Sequence, residues 1–333
     1  MKLRLLLAGI LAAAAIPLVA QQAPAIRALN EPWPRTVKVD GIEILHVQKN
    51  IYLLAGAGGY VTAQIGDEGV FLVDAGAAGQ ADKLVAALRT LTDKRLRYLV
   101  NTSADADHVG GNEGIVKAAG GLAGLNGENG LLARPNYGIL TFAHYKALTR
   151  MTTDAPGFTA LTGDAVPDST FEGAHKDMYA NGEAVQLLYQ PNAHTDGDLL
   201  VFFRGSDVIS TGEIYRTDSY PVIDVAKGGS VQGEINALNT ILDLAIPERN
   251  QMGGTRVIPA HGHLANEADV LEYRDMLTII RNRVRAMAQK NMTLAQVKEA
   301  HPSLEYDPLY GNHGVTGDQI LEIVYNEETA KKK

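Results

Sequence analysis

The chain of 333 residues contains no cysteine. That excludes disulfides and thiolate ligands, so any metal site must be assembled from histidine, aspartate and glutamate. A concentrated basic run is also missing, apart from the Lys331–Lys333 tail, and with a formal charge of −8 this argues against nucleic acid as a partner. No G-x-S-x-G elbow is present, so no serine competes for the role of nucleophile. Long apolar runs are confined to one place. Met1 to Ala20 carries Lys2 and Arg4, then an acid-free apolar stretch from Leu5 to Val19, with polar Gln21-Gln22 following. That run is short for a membrane span and has the layout of a secretory signal peptide cut near Ala20. The mature protein is therefore expected to be periplasmic or secreted and free of the membrane. Losing Lys2 and Arg4 takes its formal charge from −8 to −10. A retained N-terminal anchor is the alternative.

What is there is an ordinary globular composition, 46% hydrophobic and 20% charged, with enough apolar residues for a sizeable core. Residues 21–40, with Pro24, Pro32 and Pro34, read as an exposed arm, because proline removes the donors a sheet needs. From Glu43 the pattern turns to strands: Ile44 to Val47, Ile51 to Ala55, Tyr60 to Ile65 and Gly69 to Val73, broken by glycine and asparagine turns. Val70-Phe71-Leu72-Val73 is apolar throughout, which predicts a strand covered on both faces. Helical spacing is visible over Ala81 to Leu91, Ser230 to Ala245 and Glu267 to Ala288, with short helices expected from Thr293 to Ala300 and from Gln319 to Asn326. Thr152 to Gly182, interrupted by Pro156 and Pro167, reads as a long loop and a candidate wall of a substrate cleft.

The stretch from Asn101 to Asn112 carries the chemistry. It follows a predicted buried strand ending at Val100 and precedes a helix-like Glu113 to Ala119. Asp105, Asp107 and His108 fall within four residues, and Gly110-Gly111 then allows a tight turn. Hard oxygen donors beside an imidazole at a strand end suit a divalent cation. Three later strings add donors: Asn192-Ala193-His194-Thr195-Asp196-Gly197-Asp198, Ser210-Thr211-Gly212-Glu213, and Ile258-Pro259-Ala260-His261-Gly262-His263. His46, His175, His301 and His313 have no such partner spacing.

The order of these strings, beginning with Thr-Ser-x-Asp-x-Asp-His-x-Gly-Gly, resembles the metallo-β-lactamase superfamily from about Ile51 to His263. The resemblance implies an α/β fold, a four-layer αββα sandwich with two sheets face to face and helices outside. The implied organisation is a signal peptide over 1–20, an arm over 21–40, the sandwich over 41–265 and a helical segment over 266–333 packed on it. In the family two metals sit at the edge of the sandwich. Carried onto this chain, the second position is Asp107, His108 and His261, with Glu213 where a bridging carboxylate stands. His261 is preferred to His263 because the family's ligand directly follows Pro-x.

At the first position the chain departs from the pattern. Ser103 and Asp105 replace the two histidines of H-x-H, leaving His194. That position is then either empty or rebuilt from Asp105, His194 and Glu213. Asp74 stands where the family carries a buried orienting aspartate. Asp198, with Asp196, either orients the second nitrogen of His194 or belongs to a turn. His144 reads as an interior or rim histidine, with a supporting or substrate contact as the alternative. The implied cofactor is a divalent metal, zinc first, with one ion favoured over two and manganese or iron as alternatives if oxygen dominates the donor set.

Such an ion acidifies a bound water and polarises a carbonyl or phosphoryl oxygen, with Asp107 both ligand and proton acceptor. The expected activity is that of an exported metal-dependent hydrolase acting on a small-molecule ester, lactone, amide or β-lactam-like bond. Two other readings stand beside it. A non-hydrolytic binding protein would explain Ser103, Asp105 and Glu213 as decay of the site, and an iron-dependent oxidoreductase would explain them as oxygen-rich ligation.

Overall fold

A computed structural model describes residues 36–121 and 138–330; the expected signal peptide and most of the arm lie outside them. The first sheet has eight strands in sequence order. They are β1 (Val37–Val39), β2 (Ile42–Gln48), β3 (Ile51–Ala55), β4 (Val61–Gly66), β5 (Gly69–Val73), β6 (Leu96–Val100), β7 (Leu140–His144) and β8 (Ser169–Phe171). Hairpins make β1 to β5 antiparallel, and the crossover through α1 (Ala81–Arg89) then makes β5 and β6 parallel, with Val73 opposite Val100. The second sheet runs β13-β12-β11-β10-β9. Its strands are β9 (His175–Ala180), β10 (Glu183–Gln190), β11 (Asp198–Phe203), β12 (Val208–Ser210) and β13 (Arg256–Ile258), with only β12 and β13 parallel.

Period-two alternation decides what each strand buries where. Leu45, Leu53, Phe71, Val73 and Val100 of the first sheet meet Val185, Leu187, Leu199, Val201 and Phe203 of the second, forming the layer between the sheets. The alternate residues Val70, Leu72 and Leu99 turn the other way, onto Leu84 and Leu88 of α1 and Ile115 of α3 (Asn112–Gly121). Burial of β5 on both faces is what the unbroken apolar run predicts. Behind the second sheet, Leu200, Ile209 and Val257 pack on α5 (Val231–Leu244), α6 (Glu267–Gln289) and α9 (Gly317–Ala330). Helix, sheet, sheet, helix is the four-layer order expected. Asn266 and Asp269 start α6 as a reciprocal capping box, and Thr293 starts α7 (Leu294–Glu299) in the same way with Gln296. No helix among the described residues is long and apolar enough to cross a membrane.

Four elements depart from the expectation. Part of the arm, Val37–Val39, is an edge strand paired with β2. The predicted loop from Thr152 to Gly182 contains β8 and β9. Both are edge strands, and β9 alternates exposed and half-buried positions, so neither carries the apolar run that announces a strand. The fourth is the short helix α8 (Asp307–Tyr310), which has proline in its first turn.

Candidate metal centre

The parallel strands β5 and β6 of the first sheet, and β12 and β13 of the second, each lead at their carboxyl ends into a segment that bears site residues: Asp74, Asn101 to His108, Thr211 to Glu213, and His261. Past β6 the chain makes one helical turn, α2 (Ala106–Val109), with Asp105 as its N-cap residue and Asp107 and His108 on the turn itself. Two other loops clamp it through the backbone. Gly59 N donates to Asp107 O at 3.2 Å and Ala75 N to His108 O at 2.8 Å. Gly110 and Gly111 form the expected turn between α2 and α3, and close approach of the clamping loops is what demands glycine there. Gly110 has φ −60, open to any residue, but a Cβ there would meet Ala78 N at 2.4 Å, and one at Gly111 would meet Ala75 O at 2.1 Å.

The donor atoms of Asp107, His108, Glu213 and His261 all lie within 4.8 Å of one another. His108 Nε2 is 2.9 Å from Glu213 Oε1, and His261 Nε2 is 3.2 Å from Asp107 Oδ2 and 3.5 Å from the same Glu213 oxygen. Behind His108, Asp74 Oδ2 accepts from Nδ1 at 2.7 Å, which fixes the tautomer and turns Nε2 to the cluster. Asp74 is held in turn by the Thr102 backbone N–H at 2.8 Å and its hydroxyl at 2.6 Å. Arg216 donates to Glu213 Oε2 at 3.1 Å, so this carboxylate offers one oxygen to the cluster and has its other neutralised. A Cβ on Gly59 would come within 2.8 Å of His108 Nε2, so glycine keeps that approach open. Two imidazole nitrogens and two carboxylates from three separate loops form a donor set that suits a divalent cation.

Electrostatics point the same way. Burial works against charge on both Glu213 and His108, yet hydrogen bonds to His108 and His261 hold Glu213 well below the usual carboxylate range, and Asp74 and Glu213 hold His108 well above the usual imidazole range. His261 is raised to about 9 by its hydrogen bonds to Asp107 and Glu213. Asp107 is lowered despite burial, chiefly by His261. Negative charge is concentrated here, and in the ion-free protein protons on the imidazoles balance it.

The remaining predicted residues go elsewhere. Asp105 and His194 fall outside the group of mutually close donors and pair with each other, His194 Nε2 to Asp105 Oδ2 at 2.8 Å. Lys227 reaches Asp105 Oδ1 at 3.3 Å. Burial opposes charge on both partners, but the pair keeps Asp105 low and His194 raised to about 10. Ser103 is buried and its hydroxyl accepts from Asp105 N at 3.2 Å. The second nitrogen of His194 donates to Val222 O at 2.5 Å, so neither aspartate orients it. Asp198 instead takes the turn reading, accepting from Thr195 N and Oγ1 at 2.7 and 2.6 Å, and burial pushes it up to about 6. His144 is a core histidine stacked on Tyr189 at 3.7 Å and capping α4 (Tyr145–Met151). His263 is exposed, its backbone N–H on Thr217.

Five residues in and around the site carry no spacing signal in the sequence. Arg216 and Lys227 supply the fixed cations. Asn101 and Asn112 exchange hydrogen bonds at 3.0 and 2.8 Å across the metal loop, both amides buried. Glu234 on α5 is fully buried with neither carboxylate oxygen hydrogen-bonded to another residue, and burial followed by Asp198 raises it well above the usual range.

The protein belongs to the metallo-β-lactamase superfamily, whose model matches residues 47–275. No curated protein matches its sequence. Among solved structures it is similar to the inverting sec-alkylsulfatase Pisa1 from Pseudomonas sp., at TM-score 0.59 and 14% identity over 85% of this chain and 50% of that one; a double mutant of PisA1 gives 0.62. It thus spans about half the length of the alkylsulfatase. It is also similar to a metallo-β-lactamase from Pontibacter korlensis, at 0.54 and 13% over 71% and 99%, and to the DIM-1 metallo-β-lactamase, at 0.53 and 17% over 72% and 99%. At these identities the likeness is one of fold, and the fold is that of metal-dependent hydrolases.

Proposed function

We propose that this protein is an exported metal-dependent hydrolase of small molecules with an ester, lactone, amide or β-lactam-like bond. The observation that carries the reading is the convergence of Asp107, His108, Glu213 and His261 around one point. Zinc suits two imidazoles with carboxylates, and manganese or iron suits the same set less closely. A divalent ion held by these four side chains supplies a Lewis acid that acidifies water and polarises the scissile carbonyl.

The chain's own residues divide the remaining work. His108 and Glu213 are sealed from solvent and fixed from behind by Asp74 and Arg216, so they hold and do not move. Asp107, with its side chain 37% exposed against 5% for Glu213, is the donor carboxylate that solvent reaches. It is placed to take the proton from an attacking water. Phe158 and Leu161 pack on Ala104, Ala143, Ala147 and Met151, beside the metal loop, which supports reading the 152–182 stretch as a wall of the substrate cleft. Export rests on the leader-like residues 1–20.

Metal analysis of the native protein and of Asp107→Ala, run beside a panel of ester, lactone, amide and β-lactam substrates, tests the proposal. An alkyl sulfate belongs in the panel because a sec-alkylsulfatase is similar along 85% of this chain. The expected result is bound metal with turnover in the native protein and loss of both in the variant. Unchanged metal in Asp107→Ala removes the ligand assignment, and metal without turnover on any of these bonds favours a binding protein.

A further inference from the structure

We infer that Lys227 closes the Asp105–His194 pair to a divalent ion, its ammonium standing in for a second cation, so that the protein holds a single ion at the Asp107 cluster. The inference rests on the metal-dependent reading above and adds to it the number of ions and the residue that sets it.

Both oxygens of Asp105 are spoken for, Oδ2 by His194 Nε2 at 2.8 Å and Oδ1 by Lys227 Nζ at 3.3 Å. The lysine is no wandering surface cation. It ends a helical turn, Val225–Lys227, capped by Asp224 and followed by Gly228 at φ +88. Its backbone carbonyl accepts from Asp196 N at 3.0 Å and from Arg150 at 3.3 Å, and Asp224 Oδ2 holds the ammonium from the other side at 3.1 Å. The loop is tied to the His194 loop as well, Asp224 N donating to His194 O at 2.9 Å. The ring of His194 is fixed with Nδ1 on Val222 O, which leaves only Nε2 facing Asp105. Ser103 Oγ is turned to Asp105 N and adds no third donor. An ammonium held in this place repels a divalent ion approaching the same carboxylate. At the other cluster the groups facing Asp107 and Glu213 are the imidazoles of His261 and His108, themselves metal donors, whereas an ammonium has no lone pair to offer an ion.

The test is zinc stoichiometry of the full protein by mass spectrometry of the element after dialysis against micromolar zinc, with a melting curve to confirm that each variant is folded. One ion per chain is expected in the native protein and in Lys227→Arg, and two in Lys227→Gln, the second bound more weakly. Two ions in the native protein, or one in a folded Lys227→Gln, overturns the inference and leaves the hydrolase reading standing. No ion in any form overturns both. Should Lys227→Gln fail to fold, calorimetric titration of the native protein with zinc decides instead: one binding event supports the inference and two of similar affinity overturn it.

Discussion

His108 and Asp74 are joined by a hydrogen bond of 2.7 Å, Nδ1 to Oδ2, between two side chains that are 0% and 2% exposed. Everything the centre does with His108 depends on this contact, because a buried ring with one nitrogen committed presents the other in a single direction.

Asp74→Asn is therefore the gentlest informative change. Asp74 sits at φ +65, a conformation asparagine tolerates, so the backbone survives while the negative charge behind His108 goes. Ion affinity should fall by about 10–100-fold. Competition against a chromophoric chelator measures it, and an affinity equal to that of the native protein would remove Asp74 from the centre.

The two histidines of the Pro-Ala-His-Gly-His string are predicted to separate cleanly. His261→Ala takes away a donor and should weaken ion binding by more than the ~10–100-fold typical of a supporting residue. His263→Ala, at an exposed position, should leave ion content unchanged and shift stability by no more than about 0.5 kcal/mol. The reverse outcome would move the ligand by two residues.

Binding of the ion should expel protons. His261 in the ion-free protein is raised from 6.5 to about 9, and His108 is raised as well. An imidazole whose folded value lies above its unfolded one stabilises the ion-free fold fully below about pH 6.5 and loses that contribution as pH climbs towards 9. A metal takes only the neutral ring, so affinity should rise with pH over the same window, with roughly two protons released per ion near neutrality. Titration with zinc in a weak buffer containing a pH indicator counts them; no release would mean that the rings are already neutral.

Glu234 should act in the same sense on stability, but from a lower pH. Its folded value is raised well above 4.5, so the native state keeps a proton that the unfolded chain gives up, and stability falls as pH rises above about 4.5. Glu234→Gln removes that slope and should stabilise the fold by about 1–3 kcal/mol near neutrality. Urea unfolding at two pH values checks it, an unaltered slope in the variant being the contrary result.

The donor string Asp105 to His108 and the Pro-x-His string were legible because their residue types and order are rare together. The direction each donor faces was not. Nothing local distinguishes Asp105 from Asp107, two residues apart; on the turn of α2 one side chain meets His261 and the other His194 and Lys227. Glu213 is legible as a candidate, but the commitment of its second oxygen to Arg216, three residues on, is not. The edge strands β8 and β9 stayed hidden for a different reason: pairing on one side only leaves little apolar patterning to read.

By itself the sequence determined which side chains were available for chemistry, the absence of thiolates, and the alternation that builds two sheets face to face. These are properties of composition and short-range period, which every stretch of chain carries with it. Only the tertiary structure decided which carboxylates face the imidazoles and which face ammonium and guanidinium groups. Those partners come from loops as much as 154 residues apart, as Asp107 and His261 show, and long-range closure is set by the packing of the two sheets and not by neighbours along the chain.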